Sequence, residues 1–134
     1  MSDTPLGAVQ RYLDAFNAGD PVGMSAAFAP DGSILDGMAP HLWLGPTAAA
    51  DWYRDVLTEG ARLGASGYHV TIGEPTHNST TADSAYVVVP AGMTFDLNGT
   101  RVTQTCSTLT VALLRLPVGW RVAAWAWSKG AQQQ

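Results

Sequence analysis

The 134-residue chain predicts an α+β domain: three N-terminal helices packed on a curved antiparallel sheet that rolls into a cone-shaped barrel. Three observations carry that prediction. Apolar residues recur at helical spacing through about the first sixty residues, and the pattern then changes to segments rich in β-branched and aromatic side chains. Tight-turn sequences join the last three of those segments closely enough for a meander. Helices first and strands afterwards describe two layers, and a sheet wrapped around a helix leaves a cone whose mouth suits a small molecule.

The first helix is expected over residues 5–18, with Leu6, Val9, Leu13 and Phe16 on one stripe and Tyr12 inside it. Gly19 stops it, and Asp20-Pro21 supplies an N-cap and a first-turn proline for a second, short helix. That helix carries Val22, Met24, Ala27 and Phe28, ends in Pro30-Asp31-Gly32, and gives way to a brief strand over residues 33–36. Residues 37–45 read as an irregular but apolar loop, expected to fold over the core or a cavity mouth. Gly45-Pro46 opens a third helix with Ala49, Trp52, Tyr53, Val56 and Leu57 on its stripe and Gly60 at its end.

A Gly/Ala/Ser connector over 61–67 precedes β-rich segments at about 68–75, 83–95, 101–115 and 120–129. Asn98-Gly99 is the strongest hairpin signal, and Pro117-Val118-Gly119 marks a second tight turn. Two of these segments, around 86–89 and 122–127, are apolar on both faces. One face is expected to pack on the helices and the other on a second copy of the chain, which makes a homodimer through the sheet. The single domain spans 1–130, and residues 131–134 are expected to be a frayed polar tail.

Composition narrows the partners. The chain is 46% hydrophobic and 13% charged, with a net charge of −4 and no basic patch, which argues against nucleic acid. No apolar run is long enough to span a membrane, and the polar start Met1-Ser2-Asp3-Thr4-Pro5 does not read as a signal peptide, so a cytoplasmic protein is expected. The lone Cys106 makes no internal disulfide and reads as an apolar filler. His41, His69 and His77 show no metal-type spacing, so no metal site is expected.

The run from Ala8 through Tyr12, Phe16 and Asn17 to Asp20, followed by Phe28-Ala29-Pro30-Asp31-Gly32 and Ile34-Leu35-Asp36, resembles bacterial ketosteroid isomerases. Those belong to the nuclear transport factor 2-like superfamily, which also holds SnoaL-like polyketide cyclases. The resemblance is gap-free over about the first 36 residues, and beyond them only the order of elements matches. It implies the cone fold, a small apolar carbonyl-bearing ligand and no cofactor. It also implies that Tyr12 stands where the isomerases keep their oxyanion-hole tyrosine and Asp36 where they keep the general base.

In those enzymes a protonated aspartate sits beside the tyrosine. Here no carboxylate occurs from Thr100 to Trp120, and Thr108, give or take one residue, is the expected replacement. Losing one oxyanion donor typically costs about 2.7–4 kcal/mol of transition-state stabilisation, so a slow enzyme is expected. Beside the resemblance, Asp36 reads equally as a turn-bonding aspartate before Gly37, and spacing alone favours Tyr12 as a core tyrosine on a helical stripe. Phe16, Trp43, Trp52, Thr108 and Trp127 are the candidate ligand contacts. The tryptophans, Trp125 among them, are chiefly core, but they would suit a flat multi-ring ligand. Leu42, Trp43 and Trp52 are expected as the apolar neighbours that make Asp36 a stronger base. A pairing of Asp36 with His69 would instead serve dehydration or cyclisation. Ligand binding without turnover, and a pure dimerisation module, remain the non-enzymatic alternatives.

Overall fold

The computed structural model describes residues 3–133, with side chains through Ala131; Met1, Ser2 and Gln134 lie outside the described residues. Helix α1 is Pro5–Ala18, capped by Thr4, whose hydroxyl accepts from the Gly7 N–H at 3.0 Å, and stopped by Gly19 at φ 68°. Its buried stripe is Ala8, Val9, Tyr12, Leu13 and Phe16. The Asp20 carboxylate caps α2 (Pro21–Ala26) by accepting from Gly23 N–H at 3.0 Å. Helix α3 is Ala48–Leu63, beginning two residues and ending about a turn later than expected. It stops at Gly64, which has φ 78°. Gly60 is needed for close packing instead: a Cβ there would lie 2.8 Å from the Tyr68 hydroxyl and 2.9 Å from the Ala65 carbonyl oxygen.

The strands are β1 (Phe28–Leu35), β2 (Leu42–Gly45), β3 (Ala65–Ile72), β4 (His77–Thr80), β5 (Ser84–Leu97), β6 (Thr100–Leu116), β7 (Gly119–Ser128) and β8 (Ala131–Gln133). They form one sheet in the order β2-β1-β7-β6-β5-β3, with β4 also on β5 and β8 also on β6. The expected meander is present as β5-β6-β7, and Leu97 pairs with Thr100 across the Asn98-Gly99 turn. Helices α1 and α3 lie on the inner face, and the apolar residues of the sheet alternate toward them: Val87 and Val89 of β5, Leu109 and Val111 of β6, Val122 and Trp125 of β7.

Several sequence expectations are corrected. Phe28 starts a strand and does not end a helix. Pro30-Asp31-Gly32 lies inside β1, where the pairing register with β7 slips between Phe28 and Ser33. Proline and glycine are tolerated in a strand at such an irregularity. Residues 42–45 are strand β2, paired antiparallel with β1. Residues 77–80, read as a break, pair with the first half of β5. The sheet is not purely antiparallel, because β1 runs parallel to β7, and it does not close into a barrel. Ala131–Gln133 is not a free tail; it pairs with Thr103–Thr105 of β6.

The bend that makes the cone sits in the middle of β5 and β6. There Ala91 pairs with Ser107 and Met93 with Gln104, so β6 carries an extra residue. Cys106 takes φ 60° in that bulge. A bulge of this kind sharpens the twist and bends the strand. The inner edge strand is also tied to α1: Asn17 donates to the Val70 carbonyl at 2.9 Å and accepts from the Val70 N–H at 2.8 Å.

Candidate active site

A cavity of about 400 Å³ lies between α1, α3 and the bent sheet. Helix α1 presents Tyr12 and, one turn later, Phe16 to it. Helix α3 presents Trp52 and Val56, and β7 presents Trp125 and Trp127. Asp36 reaches the same wall because strand side chains alternate. Ile34 is fully buried and pairs with Trp125, so the residue two further along β1 also points inward. The tight 37–41 loop turns the chain there, with Asp36 N–H donating to His41 O at 3.1 Å. From that loop, Met38 and Ala39 join the cavity lining.

The Asp36 carboxylate accepts from the Trp52 indole N–H at 3.0 Å on one oxygen and from the Gly37 N–H at 2.8 Å on the other. Tyr12 is 3% exposed, and its hydroxyl has no hydrogen-bond partner among the described residues. Burial pushes its phenol far above the ordinary tyrosine value, the nearby Trp125 indole pulls the other way, and the Asp36 charge adds to the rise. The phenol is therefore held neutral, as a donor. The indole N–H of Trp125 is likewise buried without a partner. The ring packing around these groups is dense: Tyr12 to Phe28 at 5.2 Å and Trp52 to Trp125 edge-on at 4.9 Å.

Of the residues singled out from the sequence, Tyr12, Asp36, Phe16, Trp52 and Trp127 meet at this cavity. Trp43 does not. It is buried, but its N–H donates to Asp55 at 2.8 Å, which ties β2 to α3. Leu42 is half exposed, so Trp52 alone of the three expected apolar neighbours touches the Asp36 carboxylate. Thr108 lies between the buried Ser107 and Leu109 and faces the opposite side of the sheet; the wall position belongs to Leu109. His69 is exposed on β3 and cannot pair with Asp36. The histidine beside Asp36 is His41, whose Nδ1 lies 3.1 Å from the Asp36 backbone oxygen.

Trp125, read from the sequence chiefly as core, also lines the cavity, as do Tyr68, Met93 and Gln104, to which sequence reasoning assigned no pocket role. A signal for the β6 side was present. The apolar positions of that strand switch from even (Val102) to odd (Leu109, Val111, Leu113), which marks a bulge that turns Thr108 outward. Among the described residues no three His, Cys, Asp or Glu side chains converge as a metal site would require. No described helix is long and apolar enough to cross a membrane.

Comparison with known proteins agrees with this geometry. The SnoaL-like domain profile matches residues 9–116. A steroid Δ-isomerase from Nocardioides simplex is 33% identical over 105 residues, covering 74% of this chain and 85% of the relative. The crystal structure of a ketosteroid isomerase-like protein from Erwinia carotovora atroseptica superposes with a TM-score of 0.73 at 23% identity, over 93% of this chain and 92% of that one. A candidate dehydratase of the nuclear transport factor 2-like family from Streptomyces avermitilis gives 0.76 at 18% identity, over 95% and 94%. The chain belongs to the SnoaL-like domain family, within the nuclear transport factor 2-like superfamily that also holds the ketosteroid isomerases.

Proposed function

We propose that the protein binds an apolar, carbonyl-bearing small molecule in its cone and moves a proton from the carbon beside that carbonyl to the far carbon of the adjoining double bond. One observation carries the reading: a carboxylate and a buried, unpaired phenol line the same apolar cavity. Asp36 takes the proton from the carbon beside the carbonyl, and the released electron pair moves onto the carbonyl oxygen. Tyr12 donates its O–H to that developing oxyanion, and Asp36 returns the proton to the far carbon of the dienolate. The Trp52 N–H holds the carboxylate in place through both transfers. The 33% identical steroid Δ-isomerase supports a 3-ketosteroid as the first substrate to try.

A second reading, binding without turnover, is favoured by the two hydrogen bonds that Asp36 already accepts, since they suit a group that only orients a ligand. Absorbance-monitored isomerisation of a β,γ-unsaturated 3-ketosteroid separates the two. Turnover in the wild type that is lost in Asp36→Asn supports proton transfer. Steroid binding with rates no better than buffer would leave only the binding role. The quaternary part of the proposal is a homodimer through the outer face of the sheet, where Tyr86 and Leu114 stand exposed on adjacent strands. A sedimentation velocity run giving a monomer at tens of micromolar protein would rule it out.

A further inference from the structure

Among the described residues two buried side-chain polar atoms lack a hydrogen-bond partner, and they belong to neighbouring side chains. The Tyr12 hydroxyl and the Trp125 indole N–H are both shut off from solvent and both unpaired among the described residues. Their rings are 6.1 Å apart, and both residues line the cavity. Native proteins satisfy nearly all buried polar groups, so two adjacent exceptions call for an explanation.

The chemistry of the pair defines what is missing. An indole N–H only donates; a phenol donates one hydrogen and accepts. If Trp125 gave its hydrogen to the Tyr12 oxygen, the phenolic hydrogen would still lack an acceptor. The pair is therefore short of an acceptor in every arrangement. The groups packed directly on the pair are apolar or donors: Phe28 and Trp52 lie against these rings, and Leu109 occupies the position expected of a hydroxyl. The Asp36 carboxylate, on the same cavity wall, accepts from Trp52 and Gly37 and bonds to neither atom of the pair.

We infer that Trp125 is a second oxyanion donor, its indole N–H sharing with the Tyr12 O–H a single carbonyl oxygen of the bound ligand. This rests on the reading that the cavity takes an apolar carbonyl compound. It supplies from β7 the donor that the sequence lacks on β6. The edge-on packing of Trp125 against Trp52, at 4.9 Å and 90°, sets the two indoles at right angles. One holds the base and the other holds the oxygen. A specificity follows. Two convergent donors accept a ketone or an enolate, whereas an alcohol brings a hydrogen of its own that finds no acceptor there.

The test uses the full chain, ¹⁵N-labelled, with 4-androstene-3,17-dione and with 2-acetylnaphthalene as a non-steroidal ketone. The controls are 2-ethylnaphthalene and 1-(2-naphthyl)ethanol, which lack the carbonyl. Each ketone is expected to move the Trp125 indole proton downfield and the controls to leave it nearly in place. Trp125→Phe should weaken ketone binding about three- to tenfold, leave 2-ethylnaphthalene binding unchanged, and shrink the preference for ketone over alcohol. In Tyr12→Phe the ketone-induced shift of Trp125 should persist. An unmoved Trp125 resonance, no binding of either ketone, or a shift that vanishes in Tyr12→Phe would each overturn the inference. The wild-type spectra decide the matter even if Trp125→Phe does not fold. Steroid isomerisation with an unmoved indole sinks this inference and spares the proposed function. A shift with 2-acetylnaphthalene in the absence of isomerisation does the reverse.

Discussion

Replacing Tyr12 by Phe removes a single oxygen atom, and the structure says what that oxygen costs the ligand-free protein. The hydroxyl is buried and unpaired, a situation worth about 1–3 kcal/mol of lost stability. Phenylalanine keeps the ring contacts with Phe28 at 5.2 Å and Trp125 at 6.1 Å, so little packing is lost. The variant is therefore expected to be more stable than the wild type. With an unfolding entropy near 2.1 cal/mol/K per residue, 134 residues give about 0.3 kcal/mol/K, so the gain corresponds to a rise in Tm of roughly 4–10 °C. Over the same substitution, turnover of a β,γ-unsaturated ketone should fall about 10²- to 10³-fold, the usual effect of deleting an oxyanion donor. Calorimetry on ligand-free protein and an enone absorbance assay measure the two numbers. A Tyr12→Phe protein that melts lower than wild type would show that the hydroxyl has a structural partner. The case for a donor kept free for substrate would then fail.

Other perturbations have equally definite outcomes. In Asp36→Asn the amide oxygen can still accept from the Trp52 N–H, so unfolding free energy should stay within about 1 kcal/mol of wild type while turnover disappears; turnover that survives would exclude Asp36 as the base. Asn17→Ala strands both backbone groups of the half-buried Val70 linkage and should lower stability by about 2 kcal/mol, read as a lower urea midpoint with an unchanged slope. The alkaline limb of stability follows from Tyr12, whose buried phenol keeps its proton well above its ordinary value of 10.0. The unfolded chain loses that proton first, so this contribution is intact below about pH 10 and is lost as pH rises beyond it. Tyr68 is shifted in the same direction by burial and by the Glu59 charge. In a tyrosinate absorbance titration Tyr12 should ionise only as the protein unfolds; all four tyrosines titrating reversibly in the folded protein would contradict this.

Local chemistry made much of the fold readable in the sequence. Asp20-Pro21 and Asn98-Gly99 each act within a few residues, and each turns up as the cap or turn that its residues require. The register of Tyr12 and Phe16 on α1 was readable for the same reason, since four residues make about one helical turn. What failed depended on distant partners. Pro30-Asp31-Gly32 looks like a turn until β7 is laid beside it, because only the slipped pairing shows that a strand passes through. Short polar β4 has no pattern of its own and exists because β5 offers it an edge. Thr108 was placed at the wall, to within one residue, from the matching strand of the resembling isomerases, and a single extra residue at Cys106 sets the face of everything after it, so that Leu109 points inward. Trp125 could be seen to be buried, but a sequence does not reveal that a buried N–H lacks an acceptor.

The parallel pairing of β1 with β7 sets the order in which this protein can be made. Tyr12 and Asp36 leave the ribosome well before β7, the strand that seats Ile34 against Trp125. About two thirds of the chain lies between those two paired residues, so closing that contact carries a long-loop entropy cost that local helix formation does not. Until β7 has emerged, the base-bearing strand has a free edge and α1 lacks part of the wall that buries its stripe. A nascent chain stalled before Gly119 should therefore leave part of that stripe open to chaperones and show no ligand binding, because Trp125 and Trp127 of the cavity wall arrive with β7.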